Sequence, residues 1–143
     1  EPLTTEEQLK QWSVDVIRTV NARNPRAILD KYAAPDYVYE KTEDSGRVLY
    51  LNAQEMLEIR EFYLQRLSPQ ASAEVLSTEA QIDYEKGRAM VWVGMLVRND
   101  AKGVMRERMN IHSWRLDNKG KAGEKWVLVR EHTSAAFAHI TGV

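Results

Sequence analysis

The side chains best suited to chemistry lie late in the chain, in RERMNIHSWRL (106–116) and KWVLVREHTS (125–134). If each segment is a β-strand, its side chains alternate between two faces. One set of the first segment runs Arg106, Arg108, Asn110, His112, Trp114, Leu116, passing from charge to aromatic. With Trp114 in a core, His112, Asn110 and Arg108 follow on the same face toward a pocket mouth. In the second segment Trp126, Leu128, Arg130, His132 and Ser134 alternate with Val127, Val129, Glu131 and Thr133. Both sets begin apolar, so alternation leaves open which one faces inward. If Glu131 does, His112 meets it across the hairpin as an acid–base pair: one group takes a proton from carbon or hydroxyl, and the other stabilises the developing charge. The structural alternative pairs Glu131 with Arg130 or with an arginine of a neighbouring strand. Arg106 and Arg108, alternating with Glu107, also suit cross-strand ion pairs. No metal centre is expected from His112, His132 and Glu131, because adjacent strand residues point to opposite faces.

The elements that must position these residues follow from pattern. LTTEEQLKQW offers Thr4 with Glu7, or Thr5 with Gln8, as a capping box. Leu9, Trp12, Val16, Ile17 and Val20 then recur at helical spacing to about Arg23. Asn24 and Pro25 open a short second helix bearing Ile28, Leu29 and Tyr32, closed by Pro35. DYVYEKTEDSGRVLYLN reads as two strands joined by a turn through Asp44, Ser45 and Gly46. Asn52 with Glu55 caps a third helix whose Met56, Ile59, Phe62, Tyr63 and Leu67 are expected to face inward. Long strands are predicted at about 71–84, 88–98, 104–117 and 125–137, and turns this short make them antiparallel neighbours. The order ααββα then ββββ predicts an α+β fold: a cone-like barrel with three N-terminal helices packed on a strongly curved, mainly antiparallel sheet.

Composition narrows the function classes. The 143 residues suit one domain over 1–143, with room for a core without metals or disulfides. Lys and Arg number 20 against 21 Asp and Glu, interspersed rather than blocked, so neither nucleic acid nor an anionic membrane is an expected partner. There is no cysteine, hence no thiol nucleophile or thiolate metal site. The longest apolar run, AMVWVGMLV (89–97), is a buried strand rather than a membrane span. The expected setting is cytoplasmic.

The element order, with the closing KWVLVREHTSAA, resembles the nuclear transport factor 2-like superfamily, and within it the SnoaL-like and calmodulin-dependent kinase association-domain branch. The residues that carry the resemblance are Trp114, Trp126, Leu128, Val129, His132 and Ser134. It implies that Thr133 looks into the pocket and that Glu131 does too, beside Val127 and Val129 under a helical lid, where desolvation would raise its pKa toward that of a general base. It further implies that Tyr32 and Tyr39 can reach a ligand as orienting phenols. Trp92, Met90, Met56, Phe62 and Tyr63 read first as core and second as pocket wall. Asp36 and Glu40 read as solvated. The activity implied is a cofactor-free isomerisation, cyclisation or dehydration of a small hydrophobic polyketide-, terpenoid- or alkaloid-like molecule. Glu131 and His112 would be catalytic, with Tyr32, Tyr39, Trp92, Arg108, Asn110 and Thr133 binding substrate. The alternative is a non-catalytic ligand-binding or oligomerisation domain, and a homodimer is expected in either case.

Overall fold

Thr4 starts the first helix, its hydroxyl accepting from the Glu7 amide at 3.1 Å, so the earlier of the two possible caps is used. Helix α1 spans Thr5–Asn21 and buries Leu9, Ser13, Val16 and Ile17 along one stripe. The computed structural model describes residues 2–43, 45–66, 69–98, 105–134 and 137–139. Asp44 and Leu67, and residues 99–104 between the second and third long strands, lie outside them. Helix α2 (Arg26–Lys31) leads straight into strand β1 (Ala33–Thr42), so Pro35 lies inside a strand rather than closing the helix. Strand β2 (Val48–Asn52) ends in a complete capping box, Asn52 with Glu55, that launches α3 (Ala53–Leu64). Strands β3 (Ser72–Asp83), β4 (Arg88–Arg98), β5 (Met105–Asp117) and β6 (Lys125–Thr133) follow, and β7 (Phe137–His139) adds to β5. The sequence reading carried the last strand unbroken to Phe137, whereas the sheet ends it at Thr133 and restarts it beside β5.

The strand order is β2-β1-β6-β5-β4-β3, antiparallel throughout except for the parallel pair β1–β6. This is the α+β cone expected from the element order. The helices cover the concave face, where Leu9, Val16, Ile17, Ile28, Met56, Val91, Val93, Trp114 and Leu128 form the core. Trp114 is the largest of the fully buried side chains. Its ring meets Trp12 and Tyr32 at centroid distances of 5.8 and 5.9 Å, and its indole N–H donates to Ser13 Oγ at 3.2 Å. That bond satisfies the one polar atom such a ring carries into an apolar interior.

One irregularity in β6 decides which side chains enter the concavity. Ser113 lies opposite Arg130 and Trp114 opposite Leu128, so Val129 is an extra residue without a partner, a β-bulge. The inward row is therefore Trp126 and Leu128, then Glu131 and Thr133. It borrows from both alternating sets, because Glu131 stands three positions after Leu128, an odd step. Val129 does not stand beside Glu131 as expected from unbroken alternation.

Candidate functional site

The row on β5 enters the concavity as its residue types suggest, with Leu116, Trp114, His112 and Asn110 all buried. Across the hairpin His112 opposes Glu131 and Asn110 opposes Thr133. Strand β1 adds Tyr37 and Tyr39, alternate residues on one face, with Tyr39 directly beside Glu131 in the parallel ladder. Helix α3 adds Arg60. It stands four residues after Met56 and three after Leu57, the two buried positions of that helix, and so shares their stripe. Phe62 and Tyr63, expected inside, are 50% and 38% exposed, because the stripe that faces the sheet runs through Arg60 instead.

Glu131 is 1% exposed and both its oxygens are engaged: Tyr37 Oη donates to Oε1 at 2.8 Å and Arg60 Nη2 to Oε2 at 2.6 Å. Burial pushes the carboxyl up, but the Arg60 guanidinium outweighs it and holds the group below the usual carboxylate range. The raised pKa expected of a base is thus reversed by a partner that is neither Arg130 nor a strand arginine. Burial acts on His112 unopposed by any hydrogen bond and brings the imidazole down to about 4, so it is neutral near pH 7. Neither ring nitrogen of His112, nor Nη1 of Arg60, has a hydrogen-bond partner among the described residues. Above this pair Thr133 Oγ1 donates to Asn110 Oδ1 at 2.7 Å, and Tyr39 Oη lies 3.3 Å from Thr133 Oγ1. The Arg60 guanidinium stacks over the Tyr39 ring at 4.4 Å.

This polar floor underlies an open pocket of about 580 Å³ at the wide end of the cone. Its walls come from the last turns of α1, the β1–β2 hairpin, α3 and the outer ends of β3, β4 and β5. Ile17, Val20, Met95 and Val97 make an apolar side. Arg23, Lys41, Arg60, Arg106 and Arg108 bring cationic groups, and Glu43 is the one carboxylate among the described lining residues. Tyr39, Asn110, Thr133 and Arg108 of the expected site all line it, whereas His112 and Glu131 are sealed beneath it.

Two expected site residues lie elsewhere. Tyr32 is part of the aromatic core and donates its hydroxyl to Asp15; burial and that carboxylate raise its pKa. Trp92 alternates with the fully buried Val91 and Val93 and so points to the convex face, as does Met90, which is 38% exposed. Glu40, read as solvated, also corrects that reading: it holds Arg130 Nη1 at 2.9 Å and His132 Nδ1 at 3.0 Å on the convex side. Asp36 is exposed and pairs with Arg115 at 2.8 Å. Arg60 and Tyr37 were missed by sequence reasoning. Both carried a signal, Arg60 at the spacing of Met56 and Leu57, and Tyr37 two residues before Tyr39.

Solved structures with the same architecture include an NTF2-like protein of unknown function from Pseudomonas putida, which superposes with a TM-score of 0.70 at 14% identity, covering 93% of this chain and 89% of that one. The fold is that of the nuclear transport factor 2-like superfamily. Other proteins sharing this NTF2-like fold are the CaMKII hub of S. rosetta, with TM-score 0.67, 16% identity, and coverage of 94% of this chain and 98% of that one, and a putative ketosteroid isomerase from Shewanella frigidimarina, with TM-score 0.57, 15% identity, and coverage of 83% and 88%. No protein-family profile and no curated protein sequence matches the chain. Among the described residues no helix of this NTF2-like fold is long and apolar enough to cross a membrane.

Proposed function

We propose that this protein binds a small, largely apolar molecule bearing an anionic group, seated in the pocket with its apolar body against α1 and β4 and its charge at the arginine-rich rim. The observation that carries this reading is the charge of the lining: among the described residues, five cationic side chains face Glu43 alone, in a chain whose net charge is −1. Concave low-dielectric walls focus such a field and favour an anion well beyond what the same charges achieve on an open surface. Arg108 makes no hydrogen bond or ion pair among the described residues, which leaves its guanidinium available to a carboxylate or phosphate fork.

A second reading, acid–base isomerisation, cyclisation or dehydration of a hydrophobic metabolite without a cofactor, is favoured by one observation: Glu131 and His112 are opposed across the β5–β6 hairpin directly below the pocket floor. It requires α3 to withdraw Arg60 so that the carboxylate gains a higher pKa and access to substrate. A hub and a putative isomerase both share the fold, which accommodates either role. Thermal shift against medium-chain carboxylates and the matching neutral alcohols separates the readings. A ligand at a hundredfold its Kd stabilises by about 2.7 kcal/mol, and only the carboxylates should do so. Arg108→Glu should abolish that gain. Equal stabilisation by acid and alcohol would refute the anion reading.

A further inference from the structure

The Arg60 side chain belongs to two environments at once. It lines the pocket, yet its Nη2 closes on Glu131 beneath the floor, and its Nη1 is buried without a hydrogen-bond partner among the described residues. Among the described residues Glu131 has no other cation in contact. The groups that face it are Arg60 from α3, Tyr37 and Tyr39 from β1 and His112 from β5, and the carboxylate is closed to solvent. Resting on the anion-binding reading, we infer that an anionic ligand draws Arg60 from Glu131 toward the pocket, and that the buried Glu131–His112 pair takes up one proton from solvent as the ligand binds.

The physical reason is charge balance in a dry interior. Before binding, the guanidinium and the carboxylate neutralise one another. Once the guanidinium faces a second anion, one negative charge in this region has no counter-charge, and leaving it ionised away from water costs more than protonating it. Glu131 can accept that proton as a carboxylic acid while keeping the Tyr37 hydrogen bond, or His112 can accept it on a ring nitrogen that now has no partner. The pair therefore titrates as a unit. The balance is simple: ligand anion plus one proton enter, and nothing leaves. Tyr37 and Tyr39, both donors or neutral groups, contribute no charge to this exchange.

The test is isothermal titration calorimetry of the wild-type chain with octanoate and benzoate, each run near pH 6 in two buffers of different ionisation enthalpy. The buffer dependence should give uptake of about one proton per ligand, and affinity should rise up to about tenfold for each unit the pH falls in that range. Arg60→Lys, which keeps the charge but loses the two-edged fork, should still bind with much reduced uptake. Binding with no buffer dependence overturns the inference and leaves the anion-binding reading standing. If neither carboxylate binds while octanol does, the anion-binding reading fails and takes this one with it.

Discussion

Among the described residues Glu131 is an interior anion held by a single cation and a single phenol, which makes its substitutions readable. Glu131→Gln keeps the shape and an acceptor for Tyr37, but it strands the Arg60 guanidinium without a counter-charge. The expected cost is about 3–5 kcal/mol, measured as a shift of the urea midpoint. Retained stability would mean that Arg60 has water or another partner. His112 supplies a second, pH-dependent test. Its folded pKa is depressed from 6.5 to about 4, so the unfolded chain binds a proton that the folded chain refuses. Its contribution is full above the unfolded value and lost as pH falls through the interval between the two, about 3 kcal/mol in all. Glu131, held low by Arg60, loses its contribution in the same acid direction, so the two add. His112→Leu removes the imidazole and its unpaired nitrogens together. It should therefore leave stability at neutral pH unchanged or slightly higher and flatten the acid limb between about pH 6.5 and 4, followed by thermal melts across that range.

At the level of elements, the bulge at Val129 is what delivers Glu131 and Thr133 to the concave side. Deleting Val129 would restore strict alternation and force a choice: either Glu131 and Thr133 turn outward, or Trp126 and Leu128 leave the core. Both are costly, and the expected outcome is loss of cooperative unfolding, seen as collapse of near-ultraviolet circular dichroism. The same bulge explains where the sequence stopped being informative. The cap at Asn52, the first six strands and the inward row of β5 from Arg108 to Leu116 were all readable, since each rests on spacing within one element, and the cap of α1 was narrowed to Thr4 or Thr5. The phase of β6 was not, because Trp126, Leu128 and Val127, Val129 are apolar in both sets and an inserted residue leaves no compositional mark. Arg60 escaped for a different reason. A charged residue on an apolar helical stripe is ordinarily solvent-facing, and only a buried carboxylate four elements later in the chain gives it cause to turn inward. Trp92 misled in the opposite sense: a tryptophan in an apolar run suggested core or pocket, while β4 is apolar on both faces.

That two-faced character of β4 sets an expectation for the whole molecule. The convex surface carries Met90 and Met109, exposed to 38% and 37%, with Trp92 half-buried among them and Leu76 more than half exposed. A shallow cavity of about 310 Å³ opens around Gly94, where the strand lacks a side chain between Ser77 and Met109. An apolar face with both projections and a recess is suited to packing on a copy of itself about a two-fold axis, since an isologous contact places each projection near the partner's recess. Glu40, paired with Arg130 and His132, lies on the same face as a neutralised polar border rather than a repelling charge. We expect a homodimer burying more than about 1,000 Å² in total. Light scattering at micromolar concentration should return twice the chain mass, and Trp92→Glu should return the monomer with the fold intact, because Trp92 contributes nothing to the concave core. The pocket opens at the far end of the concave side, so the monomeric variant should keep the wild-type response to carboxylates. If Trp92→Glu instead lost that response along with dimerisation, the partner subunit would be implicated in closing the pocket, and the binding site would have to be redrawn across two chains.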